Sequence, residues 1–157
     1  MFKNEHEFSR WLRHELEHIS ILAIPIESHG TRNGIPDLFV MGYGSDIWLE
    51  LKYVKVIKNF EVRNKITIPY RPGQLAFAMQ YTQYHNNKKA VCTVMAVQFK
   101  DVLKITLIPL DNETIKFLNE RKHTIVFADE AFVDLPGIQK EILYKLLKKE
   151  VDNVSVS

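Results

Sequence analysis

"GIPDLFVMGYGSDIWLELK", residues 34–52, holds two apolar runs joined by a glycine-rich turn. Pro36 fixes its own φ and biases Ile35 toward extended backbone. Asp37 therefore stands at the mouth of a strand, "DLFVMG". "GYGSD" supplies the turn, and "IWLELKYVKV" alternates with the period of a second strand. On that strand Glu50 and Lys52 lie two residues apart and project from one face, while Leu49 and Leu51 point the other way into a core. Trp48 shares the polar face and is placed to wall a site. If the two strands pair as a hairpin, Asp37 and Glu50 converge at one end of the sheet.

Two carboxylates and the backbone carbonyl of Leu51 make an oxygen-only donor set, which suits Mg²⁺ or Mn²⁺. Such a metal lowers the pKa of bound water and shields the charge that develops on a phosphate. Lys52 beside it can orient or activate the attacking water and stabilise the pentacovalent phosphorus. An ordinary Glu/Lys pair on an exposed strand face would carry the same letters. The context favours a site: the carboxylates fall on two adjacent strands, an acidic helix precedes them, and a basic stretch and a glutamine-bearing helix follow.

Upstream, residues 4–19 carry Phe8, Trp11, Leu12, Leu16 and Ile19 at helical spacing, with Asn4 as N-cap. "ILAIPIES" reads as a strand that Pro25 confines to an edge or makes irregular. Downstream, "NFEVRNKITIPY" reads as a basic hairpin or a long loop, "RPGQLAFAMQYTQYHNN" as a helix and "KKAVCTVMAVQF" as a buried strand. "KITLIPL" is a further strand, with Asp101 in the turn before it. A helix over 112–121, a short strand "HTIVFA" and a terminal helix over 138–150 complete the chain. The order α-β-β-β-α-β predicts a mixed sheet flanked by helices.

The first helix also contains "HELEH", residues 14–18, which matches H-E-x-x-H, a zinc-hydrolase pattern. Here Glu17 is charged where a zincin helix runs through the core, and His29, His85 and His123 sit at no diagnostic offset for a third ligand. An amphipathic helix explains the stretch: Arg13, His14, Glu17 and His18 face solvent, and Leu12, Leu16 and Ile19 face the core.

Residues 34–52 resemble the PD-(D/E)XK nuclease superfamily, with Pro36-Asp37 as the "PD" and Glu50-Leu51-Lys52 as the "ExK". "RNGIPDLFV" is most similar to the small VRR-NUC-like and phage Holliday-junction resolvase branches, whose motif is often G-x-P-D-L. Those branches begin with a helix bearing a glutamate followed by apolar residues three and seven positions on. Glu5, with Phe8 and Leu12, fits; Glu7 and Glu15 are the alternatives. The resemblance implies that this glutamate joins the metal site directly or through water. It also implies a glutamine at the start of the helix after the "ExK" strand, here Gln74, which helps to position the catalytic lysine. The resemblance spans roughly residues 4–98 and implies a restriction-endonuclease-like αβββαβ core.

Composition sets wider bounds. The 157 residues are 46% hydrophobic and 25% charged, ordinary for one soluble domain. The expectation is a single nuclease domain over 1–157, with its core over about 4–110 and a C-terminal α/β extension over about 111–150. The net charge of +2 is only mildly basic, but its distribution is uneven. From Lys52 to Arg71 six Lys and Arg (Lys52, Lys55, Lys58, Arg63, Lys65, Arg71) face one acid, Glu61. Placed directly after the "ExK" strand, this run reads as phosphate contacts to DNA, with Arg32 before the "PD" strand as another. The lone Cys92 excludes an intrachain disulfide and fits a reducing, cytoplasmic compartment. No apolar run is long enough to cross a bilayer.

These readings together predict a Mg²⁺-dependent DNA endonuclease, with Mn²⁺ able to substitute. Asp37, Glu50, Leu51 and Glu5 form its metal set, and Lys52 and Gln74 complete the catalytic group. One small domain has little room for a sequence-reading module, which favours a structure-selective, junction-resolving enzyme. Two symmetric cuts then imply a homodimer. A restriction or homing endonuclease, an exonuclease and a non-catalytic DNA-binding module are the alternatives.

Overall fold

Helix α1 (Glu5–His18) starts where Asn4 accepts the N–H of Glu7 at 2.9 Å, with Glu5 and Glu7 in the first turn favouring the positive end of the helix dipole. Its inward face is Phe8, Leu12 and Leu16, all fully buried, worth about 1.5–3 kcal/mol each in removal from water. The computed structural model describes residues 2–26, 34–42, 45–86, 88, 90–126 and 133–135. After α1 come β1 (Leu22–Pro25), β2 (Leu38–Gly42), β3 (Ser45–Lys55), β4 (Lys65–Thr67), α2 (Gln74–Tyr84), β5 (Val91–Gln98), β6 (Leu103–Pro109), α3 (Asn112–Glu120), β7 (Thr124–Val126) and β8 (Val133–Leu135).

Six strands form one sheet in the order β1-β2-β3-β5-β6-β8. β1, β2 and β3 are an antiparallel meander, β3 and β5 are parallel, and β6 runs antiparallel to β5. The β3-to-β5 crossover carries α2, as a parallel pair requires. This is a mixed α/β architecture, a mixed sheet flanked by helices, in the expected αβββαβ order with β4 inserted before α2. Pro25 lies on the edge strand, where a missing N–H costs no ladder bond.

Period-two alternation gives the sheet two apolar faces. Leu49, Leu51, Val94 and Ala96 pack with α1 on one. Met95, Val97 and Ile108 pack with α2 and α3 on the other. Glu50 and Lys52 belong to the second face.

The stretch read as a basic hairpin or loop folds differently. β4 pairs antiparallel with β7, nearly sixty residues later, to form a second, two-stranded sheet. β8, which pairs with β6, was not expected from local pattern. The expected helix over 138–150 lies outside the described residues.

Candidate active site

The site opens where the β2–β3 ladder stops. Leu38 is opposite Leu49, so the same register sets Asp37 opposite Glu50 and Pro36 opposite Leu51. Trp48 donates its N–H to Ala90 on the β5 side at 2.7 Å. Backbone groups alternate along a strand, so those of Leu51 face β2. Its N–H duly meets Asp37 Oδ2 at 2.8 Å. Its carbonyl points the same way, toward Pro36, which has no N–H to give. One rung past the hairpin's end, the chain thus presents a carboxylate and a carbonyl oxygen free of the ladder.

Glu50 and Lys52 are 3% and 4% exposed, which rules out a solvated surface pair. Lys52 Nζ lies 3.4 Å from Glu50 Oε1. The other oxygen, Oε2, is buried and has no hydrogen-bond partner among the described residues. Burial pushes the Glu50 carboxyl up to about 8 from 4.5; the neighbouring Asp37 charge adds to this and the Lys52 ammonium opposes it. Two carboxylates this close do not both ionise comfortably beside a single cation.

Gln74, buried at the start of α2, holds Glu50 in place. Its amide nitrogen donates to Glu50 Oε1 at 2.6 Å, and its carbonyl oxygen accepts the N–H of Arg71 at 2.7 Å. A backbone N–H can only donate, so the orientation of the Gln74 amide is fixed by its partners. The amide reaches the glutamate rather than the lysine, and acts on Lys52 through the shared Oε1.

Gly34 brings the two parts of the site together. At φ +96°, it packs so closely on α2 that a Cβ would stand 2.3 Å from the Gly73 carbonyl oxygen. Gly73 itself has φ +89°. The loop leading to Asp37 and the helix bearing Gln74 are in backbone contact.

Sequence reasoning missed Tyr70 and Thr93. The Lys52 ammonium sits over the Tyr70 ring, 5.7 Å from its centroid. The Tyr70 hydroxyl is 2.6 Å from Thr93 Oγ1, and Thr93 is the β5 residue opposite Glu50. Burial raises the Tyr70 hydroxyl's pKa well above 10, so it stays a neutral hydrogen-bonding group. "IPYRP" offers one hint, an aromatic fixed between two prolines, but its contact with Lys52 arises only from the crossover.

Of the three candidate glutamates, Glu5 faces the site. Exposed at the rim, its carboxyl is raised by partial desolvation and by the charge of Asp37, with Lys52 and Arg71 acting in the opposite direction. Glu7 instead accepts the N–H of Lys3 at 2.7 Å. Glu15 is ten residues along the helix from Glu5, about 15 Å away. Among the described residues, no three His, Cys, Asp or Glu side chains gather closely enough to hold a metal ion. The donor set near at hand is Asp37, Glu50 and the Leu51 carbonyl, with Glu5 at the rim. This suits Mg²⁺, which keeps several waters and takes one or two carboxylates from a protein.

Lys55, Lys58, Arg63, Lys65 and Arg71 are all exposed. Arg32 and His29 lie outside the described residues. Trp48 is set against Phe77 and Tyr81 of α2. His14 and His18 are exposed on α1, with ring centroids 4.6 Å apart. Among the described residues no helix is long and apolar enough to cross a membrane.

Among solved structures, a Holliday junction resolvase from the hyperthermophilic archaeon Archaeoglobus fulgidus is similar to this chain. The match covers 71% of this chain and 92% of that one, at 14% identity and a TM-score of 0.43. No family model matches the chain, and no curated protein matches it.

Proposed function

We propose that this protein is a Mg²⁺-dependent nuclease that hydrolyses phosphodiester bonds in DNA, with Mn²⁺ able to substitute. One observation carries the reading: a buried carboxylate oxygen of Glu50 without a hydrogen-bond partner among the described residues, next to Asp37 and to a carbonyl that the ladder leaves free. All are hard oxygen donors, and together they would hold the metal. When bound, Mg²⁺ would polarise the phosphate and lower the pKa of water there.

The chain's own residues supply the rest. Gln74 fixes Glu50, and Lys52, held between Glu50 and the Tyr70 ring, offers an ammonium to the attacking water and to the phosphate oxygens. Glu5 adds negative charge at the rim. Lys55, Lys58, Arg63, Lys65 and Arg71 would contact flanking phosphates; among the described residues none is held in an ion pair.

The preferred substrate is a branched DNA such as a four-way junction, cut by a homodimer. Among the described residues β1 has no partner on its outer edge, which supports pairing of two copies. It leaves Leu22 and Ile24 exposed, with Met41 exposed opposite Leu22.

The test is cleavage of a labelled four-way junction, a matched linear duplex and single-stranded DNA, with Mg²⁺, with EDTA and with Lys52→Ala. Paired symmetric nicks in the junction alone, lost with EDTA and with the variant, are expected. Cutting of the duplex at one fixed sequence would replace junction resolution with sequence-specific cleavage. No cleavage of any substrate with Mg²⁺ or Mn²⁺ would refute the nuclease reading.

A further inference from the structure

The segment between β3 and β4 is tied down at alternate points. Val56 donates its N–H to Gln98 at 2.9 Å, and Lys100 donates to the Lys58 carbonyl at 3.0 Å. Phe60 donates its N–H to Asp101 Oδ1 at 2.8 Å. Its ring meets Phe99 edge-on, with centroids 5.2 Å apart, and the Lys104 ammonium covers it. Residues 61–64 then make a tight turn: Asn64 donates its N–H to the Glu61 carbonyl, its side chain accepts the N–H of Glu61, and Arg63 is left-handed at φ +71°.

This bracing holds two aliphatic side chains out in water. Ile57 is 91% exposed and Val62 is 74% exposed. Neither serves the core, which Phe60 enters instead. Both stand among exposed cations, Lys55, Lys58 and Arg63. Exposed aliphatic side chains interleaved along one segment with three cations and one acid, Glu61, match a polyanion with an apolar interior, and stacked DNA is such a partner. Proteins that kink DNA insert Ile, Leu, Phe or Met between base steps while cations hold the backbone.

We infer that Ile57 and Val62 form a preorganised wedge that enters the base stack of the DNA held at the site. This rests on the nuclease reading above and adds how the substrate is recognised. The distance is bounded by the chain. Ile57 is five steps along the chain from Lys52, and an extended chain spans at most about 3.3–3.6 Å per residue. Ile57 therefore lies within about 18 Å of Lys52, a span of some five base-pair steps of 3.4 Å, and Val62 follows five residues on. A branch point, where stacking is already broken, costs least to open, so the wedge favours junctions over intact duplex.

The experiment places 2-aminopurine at successive positions of a four-way junction and binds the full chain with Ca²⁺ replacing Mg²⁺, so that the complex stays uncut. Wild type should raise the fluorescence several-fold at a step within about five nucleotides of the cut. The Ile57→Ser/Val62→Ser double variant changes only exposed side chains. It should bind with Kd within about threefold, since phosphate contacts dominate affinity. It should lose the fluorescence rise and, in Mg²⁺, cut about tenfold more slowly or worse. A double variant with the wild-type fluorescence rise and cutting rate would overturn the wedge and leave the nuclease reading standing. So would a shift from dimer to monomer in sedimentation, which would assign the two side chains to a protein interface. Wild type that binds and cuts no DNA would overturn both readings.

Discussion

Glu50 makes the metal-free protein sensitive to alkali. Its carboxyl titrates near 8 in the fold and near 4.5 in an unfolded chain, so between those values the folded state holds a proton that unfolding releases. The stability gained is fully present below 4.5 and is lost as pH rises through 8. The slope approaches 1.36 kcal/mol per pH unit, and the loss from pH 5 to pH 8 is about 3–4 kcal/mol. For a chain of this size each kcal/mol moves Tm by about 2–4 °C, so Tm should fall by about 6–16 °C. The assay is thermal unfolding followed by circular dichroism, in EDTA, at half-unit steps from pH 5 to 8.5, for wild type and Glu50→Gln. The amide keeps the shape and the Gln74 contact but has no proton to release. Its curve should be flatter by that slope, whatever its absolute Tm. The difference between the two curves cancels titrations elsewhere in the chain. Parallel curves would refute the reasoning, as would a wild-type Tm that rises across this range.

Gln74→Ala should weaken Mg²⁺ affinity or cleavage by about 10–100-fold, because Glu50 loses the donor that orients it; isothermal titration and initial rates measure this, and a change under twofold would count against it. Gly34→Ala should destabilise the protein by about 3 kcal/mol or more, because its Cβ meets the Gly73 carbonyl at a backbone angle that alanine avoids. A urea midpoint equal to wild type would show that the two loops can separate at no cost. Arg71→Ala and Lys58→Ala should each reduce the slope of log Kd against log salt by about 0.9, if each contacts one phosphate. An unchanged slope would remove that residue from the DNA interface.

The hairpin and its carboxylates were legible because their signals are local. Pro36, the "GYGSD" turn and the alternation of residues 47–52 all act within a few residues, and they fix which side chains share a face. Glu5 and Gln74 came from family resemblance. Tyr70 and Thr93 came from neither: their place beside Lys52 and Glu50 depends on the parallel register of β3 with β5, which no short window records. The pairing of β4 with β7 was hidden for the same reason. Each strand is three residues long, too short for alternation to declare itself, and its partner lies far along the chain. The contact of Gly34 with Gly73 was equally silent: two glycines in separate loops read as two turns, while the structure uses them as one joint.

Pro36 gives the site a vulnerability that no survey of charged side chains would find. Every other residue carries an amide hydrogen. Placed opposite Leu51, that hydrogen could close one more rung and occupy the oxygen that we propose holds the ion. A substitution there would leave Asp37, Glu50 and Lys52 chemically intact and still silence them. On the proposed function, the length of the hairpin is a safety catch on catalysis, and the proline is the stop that keeps the zipper from running shut.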